Sequence, residues 1–596
     1  MPAVPPAPAL GAGSRPSLLP QPASALRKTF RDGYGWDALR ADCLAGLVVG
    51  VVALPLSMAL AIAVGAPPQH GLYAAIVSGG VIAVLGGSRV QVSGPTAAFV
   101  AILAPVTATH GLGGLLLATV MAGLILMLLG LARLGRLVEF VPYPVTTGFT
   151  AGIAVVIATL QLRDFLGLRM GPAPESTPGK VSQIARSLGT VSWPEASIGA
   201  LTLALLVLWP RLHRSIPSPI VALTVAALAA LLLERLVPGV EIATIERRFT
   251  WELGGVNGQG IPPLPPLPGL PWLAAGADGR PLGLSWTVVR QLLPISFAIA
   301  MLGAIESLLS AVVADGMIRR QHDPDAELFA QGVGNVVGPF FGAVTATGAI
   351  ARTATNIRSG ARSPFASLVH SGFLLLATIL LAPLLGKLPM ASLAALLLLV
   401  AWNMSEARHV ARTLRTAPRS DGLVVLSCLA LTVLFDMVIA VVAGVLLAAL
   451  LFMRRMIEVT QAELVAEPHR KLRQTIPPGV VLYEIAGPLF FGAAARAMRA
   501  LHSVDTSVRV VVLDLRSVPA LDATGLVALD SAVDRLTRAD VDVVLAGVRD
   551  QPLRALLKAG WRGRRPGVEI RRSFDGAIAL ATARAAPHGP SATGEH

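Results

Sequence analysis

The sequence predicts an all-α polytopic membrane protein followed by a small α/β domain, and three observations predict it. Only 14% of the 596 residues are charged while 54% are hydrophobic, with a mean hydropathy of +0.67; a soluble domain carries roughly 25% charged residues. Long intervals such as 43–88, 90–132 and 363–386 hold no acid or base. Past Arg454 and Arg455 the pattern changes to short β-branched runs alternating with helical ones. Together these exclude a disordered chain, a coiled coil and a purely soluble enzyme. Two cysteines, Cys43 and Cys428, exclude a disulfide framework and any CxxC site. The ten histidines have no HExxH spacing, so neither metal nor cofactor is expected.

About 20 apolar residues cross a bilayer core, so 43–88 and 90–132 each hold two spans. Pro67-Pro68 divides the first and His110-Gly111 the second. Charge-free runs at 140–162, 196–210, 215–233, 363–386, 388–405 and 437–453 follow, with interrupted ones at 291–314, 328–350 and 422–435. The count is about fourteen spans. Three are short or broken, near 92–107, 347–358 and 389–402.

Basic residues set the orientation, because cytoplasmic loops are enriched in them. With the N-terminus inside, Arg89, Arg133, Arg136, Arg211, Arg214, Arg319, Arg320, Arg358, Arg362, Arg408, Arg412, Arg415 and Arg419 all fall in cytoplasmic connections. The opposite stretch 236–285 offsets Arg247, Arg248 and Arg280 with four acids. An even number of spans with both termini cytoplasmic fits the bacterial inner membrane. Topology thus explains most of the +14 charge, and no basic patch with interleaved aromatics points to nucleic acid. The Pro- and Ala-rich start has no h-region and reads as a tail, not a signal peptide. The expected division is a disordered tail 1–35, a membrane domain 36–458, a soluble domain 459–585 and a second tail 586–596.

In the soluble part, strands are expected at 480–486, 508–515 and 541–548, and helices at 493–503, 524–539 and 552–559. Neither a phosphate-binding GxxxxGK[ST] loop nor a nucleophile elbow accompanies them, so the domain reads as a docking or regulatory module for a soluble partner. Leu521-Asp522-Ala523-Thr524-Gly525-Leu526 joins a strand to a helix. Asp522 or Thr524 is a candidate N-cap; alternatively Thr524 is a phosphorylation site, since a helix N-terminus favours phosphate.

Two Gly- or Pro-interrupted segments occupy comparable places in the two halves: Ser93-Gly94-Pro95-Thr96-Ala97-Ala98 and Thr345-Ala346-Thr347-Gly348-Ala349-Ile350-Ala351-Arg352-Thr353. Paired breaks of this kind point to a transporter site. A half-helix beginning at mid-membrane presents unpaired N–H groups and a positive dipole end, which suits an anion. Arg352 can add two N–H donors to a carboxylate or sulfate. The alternatives are close packing for the small residues and a snorkelling position for Arg352.

Glu306 is the only carboxylate between Arg290 and Asp315. An acid at the centre of a span costs about 2.5–3.5 kcal/mol on insertion scales, which makes it a functional candidate. Here that function is carrying a proton with the substrate, with a structural hydrogen bond as the alternative. Asp436 reads as an interface cap, and His70 and His370 as polar anchors.

Val52-Ala53-Leu54-Pro55-Leu56-Ser57-Met58-Ala59, the Ser93–Ala98 segment with Val92 before it, and the Leu521–Leu526 segment together resemble the SulP family of anion transporters, which end in a STAS domain. The resemblance covers residues 36–585. Within the family, stretches 300–309, 400–407, 434–440 and 451–455 most resemble the aerobic C4-dicarboxylate transporter of enteric bacteria.

The resemblance implies a seven-plus-seven inverted repeat, a core domain moving against a gate domain, and a homodimer in the bilayer. It places the substrate at Pro95, Thr96, Ala97 and Ala98 on one side and Gly348, Ala349, Ile350, Ala351 and Arg352 on the other. Glu306 falls where sodium-coupled bicarbonate members carry an aspartate, and Ser310 on a hydroxyl ligand of that cation. The longer acid and Ile350 in place of a hydroxyl favour a proton over sodium. Thr524 matches the phosphorylated serine of bacterial anti-sigma antagonists. The function so implied is proton-coupled import of C4-dicarboxylates by alternating access, with no enzymatic step. A bicarbonate or sulfate carrier is the alternative, and a membrane-anchored STAS scaffold a rival from another class.

Overall fold

The computed structural model describes residues 21–135, 142–171, 174, 176–213, 216–253, 256–435, 437–459, 461–465, 478–499, 501, 507–561 and 565–586. The chain divides into two compact units, Met1–Val445 and Leu446–His596.

The first unit opens with α1 (Ser24–Arg31), then α2 (Trp36–Ala63) and α3 (Pro68–Leu85). Strand β1 (Ser93–Gly94) leads into α4 (Val100–Leu131), followed by α5 (Tyr143–Phe165), α6 (Thr177–Ser187), α7 (Trp193–Leu212) and α8 (Ser218–Leu236). A hairpin, β2 (Thr250–Leu253) and β3 (Val256–Gln259), lies between the halves. The second half holds α9 (Trp286–Ile318), α10 (Pro324–Val337), β4 (Thr347–Gly348), α11 (Ile350–Arg358), α12 (Phe365–Gly386), α13 (Met390–Ser405), α14 (Ala407–Thr416), α15 (Arg419–Leu434) and the start of α16 (Met437–Val459), which continues past the unit boundary at Val445.

Nine helices among the described residues are long and apolar enough to cross a bilayer. One of them, α4, is two arms meeting at Gly111, whose φ of 68° only glycine adopts without strain. A Cβ there would lie 2.3 Å from the carbonyl carbon of Gly276. Adding the second arm, the shorter α10, α11 and α15, and the 23-residue α16 gives fourteen segments, seven on either side of the hairpin.

Small residues bring these helices together. Gly123 on α4 and Gly332 on α10 meet backbone to backbone, a Cβ on Gly332 falling 2.5 Å from Met127 N. Gly148 and Gly152 of α5 lie on α15, and Gly46 and Gly50 of α2 on α12, in the same way. The contacts sort the helices into one group around α4, α9 and α10 and another around α5, α13 and α15.

Connections expected on the cytoplasmic side lie at one end. Asp32 accepts from Arg89 at 2.5 Å and Arg320 at 3.0 Å, and Asp325 accepts from the Gly135 amide at 3.1 Å. Residues 21–35, expected as part of a disordered tail, are instead built onto this end. The amides of Ala23 and Ala25 donate to Leu85 O and Gly86 O, while Tyr34 stacks on Phe365 with centroids 4.9 Å apart and donates to Asp42. Backbone bonding and an aromatic cluster supply the order that composition did not suggest.

The second unit carries a five-stranded sheet in the order β5 (Gln461–Val465), β6 (Val480–Ala486), β7 (Val510–Ser517), β8 (Asp542–Ala546), β9 (Val568–Arg571). β5 is antiparallel to β6, and the other neighbours are parallel. Alternate residues divide between two cores: Tyr483, Ile485, Leu513 and Leu545 face α17 (Phe491–Arg499), α18 (Ala523–Arg538) and α19 (Asp550–Lys558). Leu482, Val512 and Val544 face α20 (Phe574–Ala585). The expected strands and helices are present with shifted ends. The outer strands and α20 were not anticipated, because their sequences are short or alanine-rich.

Candidate functional site

β1 and β4 pair antiparallel, Ser93 opposite Gly348 and Gly94 opposite Thr347. Each two-residue strand leads within a few residues to a helix, so one small ribbon sets two helix starts side by side in the membrane unit. The first start passes through a 3-10 turn at Ala97–Phe99 before α4, three residues later than a direct entry; the second goes directly into α11. Neither Thr96 nor Ala349, at the two starts, caps its helix with a side chain. Orphan first-turn amides therefore face this space from both sides.

Arg352 is 4% exposed. Its Nη2 donates to the carbonyl of Pro95 across the two starts, while Nη1 is buried and makes no hydrogen bond among the described residues. That burial and bond decide against a snorkelling position. Gly94 makes the approach possible, since a Cβ there would lie 2.8 Å from Arg352 Nη1 and 3.3 Å from Ala75. Ala75 belongs to a π-helical turn, Ala74–Ser78, within α3, and Ser371 Oγ donates to its carbonyl at 2.9 Å. Such turns re-aim a helix locally and recur at functional sites.

Glu306 on α9 accepts from Thr96 Oγ1 at 2.7 Å. It makes no ion pair with Arg352, although each lies within reach of the other's charge. Ser307 Oγ lies 2.6 Å from Thr347 Oγ1 and accepts from the Gly348 amide at 3.2 Å. Ser310 Oγ donates to Thr353 Oγ1 at 3.3 Å, which in turn accepts from Val92 N at 3.1 Å. Both serines thus tie α9 to the ribbon. Ala97, Ala98 and Ala349 are buried at the starts, Ile350 is half-buried and Ala351 exposed.

Behind the ribbon lies a polar knot that sequence reading missed. Glu327 of α10, 1% exposed, accepts from the amides of Gly87 at 2.9 Å and Ser88 at 3.1 Å, Gln91 Nε2 at 2.9 Å and Gln331 Nε2 at 3.0 Å. Gln331 Nε2 also reaches Ser93 Oγ at 3.0 Å, and Asn335 brackets Ala346 through both its amide atoms. Four donors satisfy the buried carboxylate, as burial of a charge requires. The available signal was an acid, a glutamine and an asparagine at four-residue spacing on one face of an apolar helix.

His70 Nδ1 lies 2.6 Å from Gly342 O, an anchor between α3 and the β4 loop. His370 is buried with its Nε2 unpartnered among the described residues. Asp436 lies outside the described residues. In the second unit Asp522, not Thr524, is the N-cap of α18, accepting from Gly525 N at 2.6 Å; Thr524 is exposed in the first turn.

Residues 39–428 match the sulfate permease family and residues 471–564 the STAS domain. YvdB of Bacillus subtilis, which carries a provisional sulfate-transporter name, is 39% identical over 529 residues, 89% of this chain and 95% of its own. The bicarbonate transporter BicA of a Picosynechococcus is 28% identical, covering 92% of this chain and 96% of its own. Among solved structures, murine Slc26a9, an anion transporter, superposes with a TM-score of 0.80 at 18% identity, covering 96% of both chains. The BicA transmembrane domain superposes at 0.58 with 25% identity, over 70% of this chain and 98% of its own. The chain belongs to the sulfate permease family of anion transporters and carries a C-terminal STAS domain.

Proposed function

We propose that the protein is a secondary transporter of a compact oxyanion of the sulfate or bicarbonate kind, held between the β1–α4 and β4–α11 starts. The observation that carries this reading is Arg352 Nη1, a buried donor with no partner among the described residues, aimed beside two uncapped helix starts. One guanidinium arm and two sets of first-turn amides match a small anion with several oxygens on one centre. The two relatives named above bear sulfate and bicarbonate in their names.

A C4-dicarboxylate is the second reading, favoured by the stretches 300–309 and 434–440. Its second carboxylate needs a second positive site. Arg352 is the one buried arginine or lysine among the described residues, and Glu306 sits on the near side. That arrangement disfavours the longer dianion. Counterflow in proteoliposomes loaded with sulfate, bicarbonate or succinate separates the readings. Uptake driven by the inorganic anions supports the first, and uptake driven by succinate alone overturns it.

The co-transported ion in this reading is a proton carried by Glu306, whose hydrogen bond to Thr96 couples it to the first start. Glu306→Gln keeps an acceptor for the Thr96 hydroxyl but cannot exchange a proton. Uptake by this variant is expected to lose its pH dependence; an unchanged profile removes Glu306 from coupling. A homodimer in the bacterial inner membrane, both termini cytoplasmic, completes the reading. Thr524, exposed beside the α18 N-terminus, is its modification site.

A further inference from the structure

The connection α14 between α13 and α15 has a construction that anion passage leaves unused. Arg408, Arg412 and Arg415 stand at i, i+4 and i+7, one face of the helix. Arg419 follows at the first position of α15. All four are exposed, and none makes an ion pair or side-chain hydrogen bond with a described residue. One other side makes contacts with neighbouring helices. His409 Nε2 lies 2.7 Å from the Tyr143 hydroxyl on α5, Thr413 leans on His409, and Leu414 lies over Gly422 at the start of α15. The arginines take no part in these contacts and project into open space.

Its depth is set by its neighbours. One residue separates α13 from α14 and two separate α14 from α15, so the helix lies at the bilayer boundary. Trp402, 67% exposed, and Tyr143, 54% exposed, lie beside it. Amphipathic aromatic rings favour headgroup level. A preference for basic loops accounts for the number of arginines. It does not account for their alignment on one face of a helix that His409 and Leu414 anchor from another.

We propose that the Arg408–Arg412–Arg415 face is a binding site for the phosphate headgroups of anionic phospholipids in the inner leaflet. The charge of the site, its unpaired state and its depth all match that occupant, and a helix with basic and apolar faces lies in that plane. Because α14 joins α13 to α15, and both pack on α5, a bound lipid holds this helix group at the membrane surface.

The test uses the full chain in nanodiscs of phosphatidylcholine doped with dansyl-labelled phosphatidylglycerol or dansyl-labelled phosphatidylcholine. Energy transfer from Trp402 is isolated by subtracting a Trp402→Phe variant. An exposed arginine near an anionic surface contributes roughly a fivefold preference. The wild type is expected to take the glycerol lipid over the choline lipid by more than tenfold. Arg408→Gln/Arg412→Gln/Arg415→Gln, eluting as the wild type does, is expected to lose most of that preference. Equal transfer from both lipids in the wild type, or a preference intact in the triple variant, overturns the proposal. So does loss of the preference on adding millimolar glycerol phosphate, which assigns the face to a soluble phosphate.

Discussion

The two helix starts at the centre of the membrane unit are built alike and armed differently. Each is a two-residue strand feeding an uncapped helix, and the strands are each other's only ladder among the described residues. The first start carries no charge. It enters through a 3-10 turn and lends one hydroxyl, Thr96, to Glu306. The second enters directly and brings Arg352 one turn in, where its guanidinium bonds the first start's Pro95 carbonyl. The difference teaches that the shared backbone frame ties the starts together and supplies a weak positive potential from both sides, while a single side chain adds the one full charge.

The sharpest way to break the asymmetry is Arg352→Ala, which removes both the tie to Pro95 and the free Nη1. A hydrogen bond to a charged group contributes about 1.5–3 kcal/mol, so anion affinity by calorimetry is expected to fall roughly ten- to hundredfold. Thr96→Ala on the other start should cost far less binding. Comparable losses would show that the starts are energetically equivalent.

Next comes Glu327→Gln, which places an amide NH2 among donors that now meet a carboxylate. Leaving buried donors unmatched costs about 1–3 kcal/mol. A lower apparent Tm is expected with anion affinity falling alongside, since Gln91, Gln331 and Ser93 hold both strands. An unchanged Tm would mean that the knot does not support the ribbon.

A finer comparison sets Gly94→Ala against Gly348→Ala. The first Cβ would meet Arg352 Nη1 at 2.8 Å and the second Gln91 Nε2 at 2.2 Å. The former should lower affinity more than Tm, and the latter Tm more than affinity. Reversed ranks would reassign the two contacts.

The smallest effect is expected at Asp32, whose carboxyl is held below the usual carboxylate range, chiefly by the hydrogen bond from Arg89. A depressed carboxyl stabilises above its unfolded value and loses that contribution as pH falls through the folded one. The link to Arg89 and Arg320 should therefore persist unchanged from pH 8 to 5. Hydrogen exchange over residues 21–35, corrected for intrinsic rates, should be insensitive to pH in that window and modestly faster in Asp32→Asn.

Charge-free intervals and Gly–Pro breaks made the membrane architecture legible, because a span must exclude charge and a broken helix must be bought with small residues. Arg352 and Glu306 stood out as lone ionisable groups in apolar surroundings, and the structure brings both to the ribbon. What stayed hidden depends on contacts distant in sequence. Nothing local says that Glu327 gathers Gly87, Ser88 and Gln91, or that Ala75 lies in a π-turn whose carbonyl Ser371 takes. The helix Ser24–Arg31 was equally hidden, since its order comes from Leu85, Gly86 and Phe365. The order of strands in the second unit was open for the same reason, its two edges being too short to signal themselves.

The account turns on an anion seated between the two starts, and selenate, a sulfate analogue with an anomalous selenium signal, locates it directly. Diffraction at the selenium edge from crystals of the full chain with selenate should place one peak within hydrogen-bonding distance of Arg352 Nη1, between Thr96 and Ile350. A peak elsewhere in the membrane unit, with that space filled by protein side chains, would contradict it.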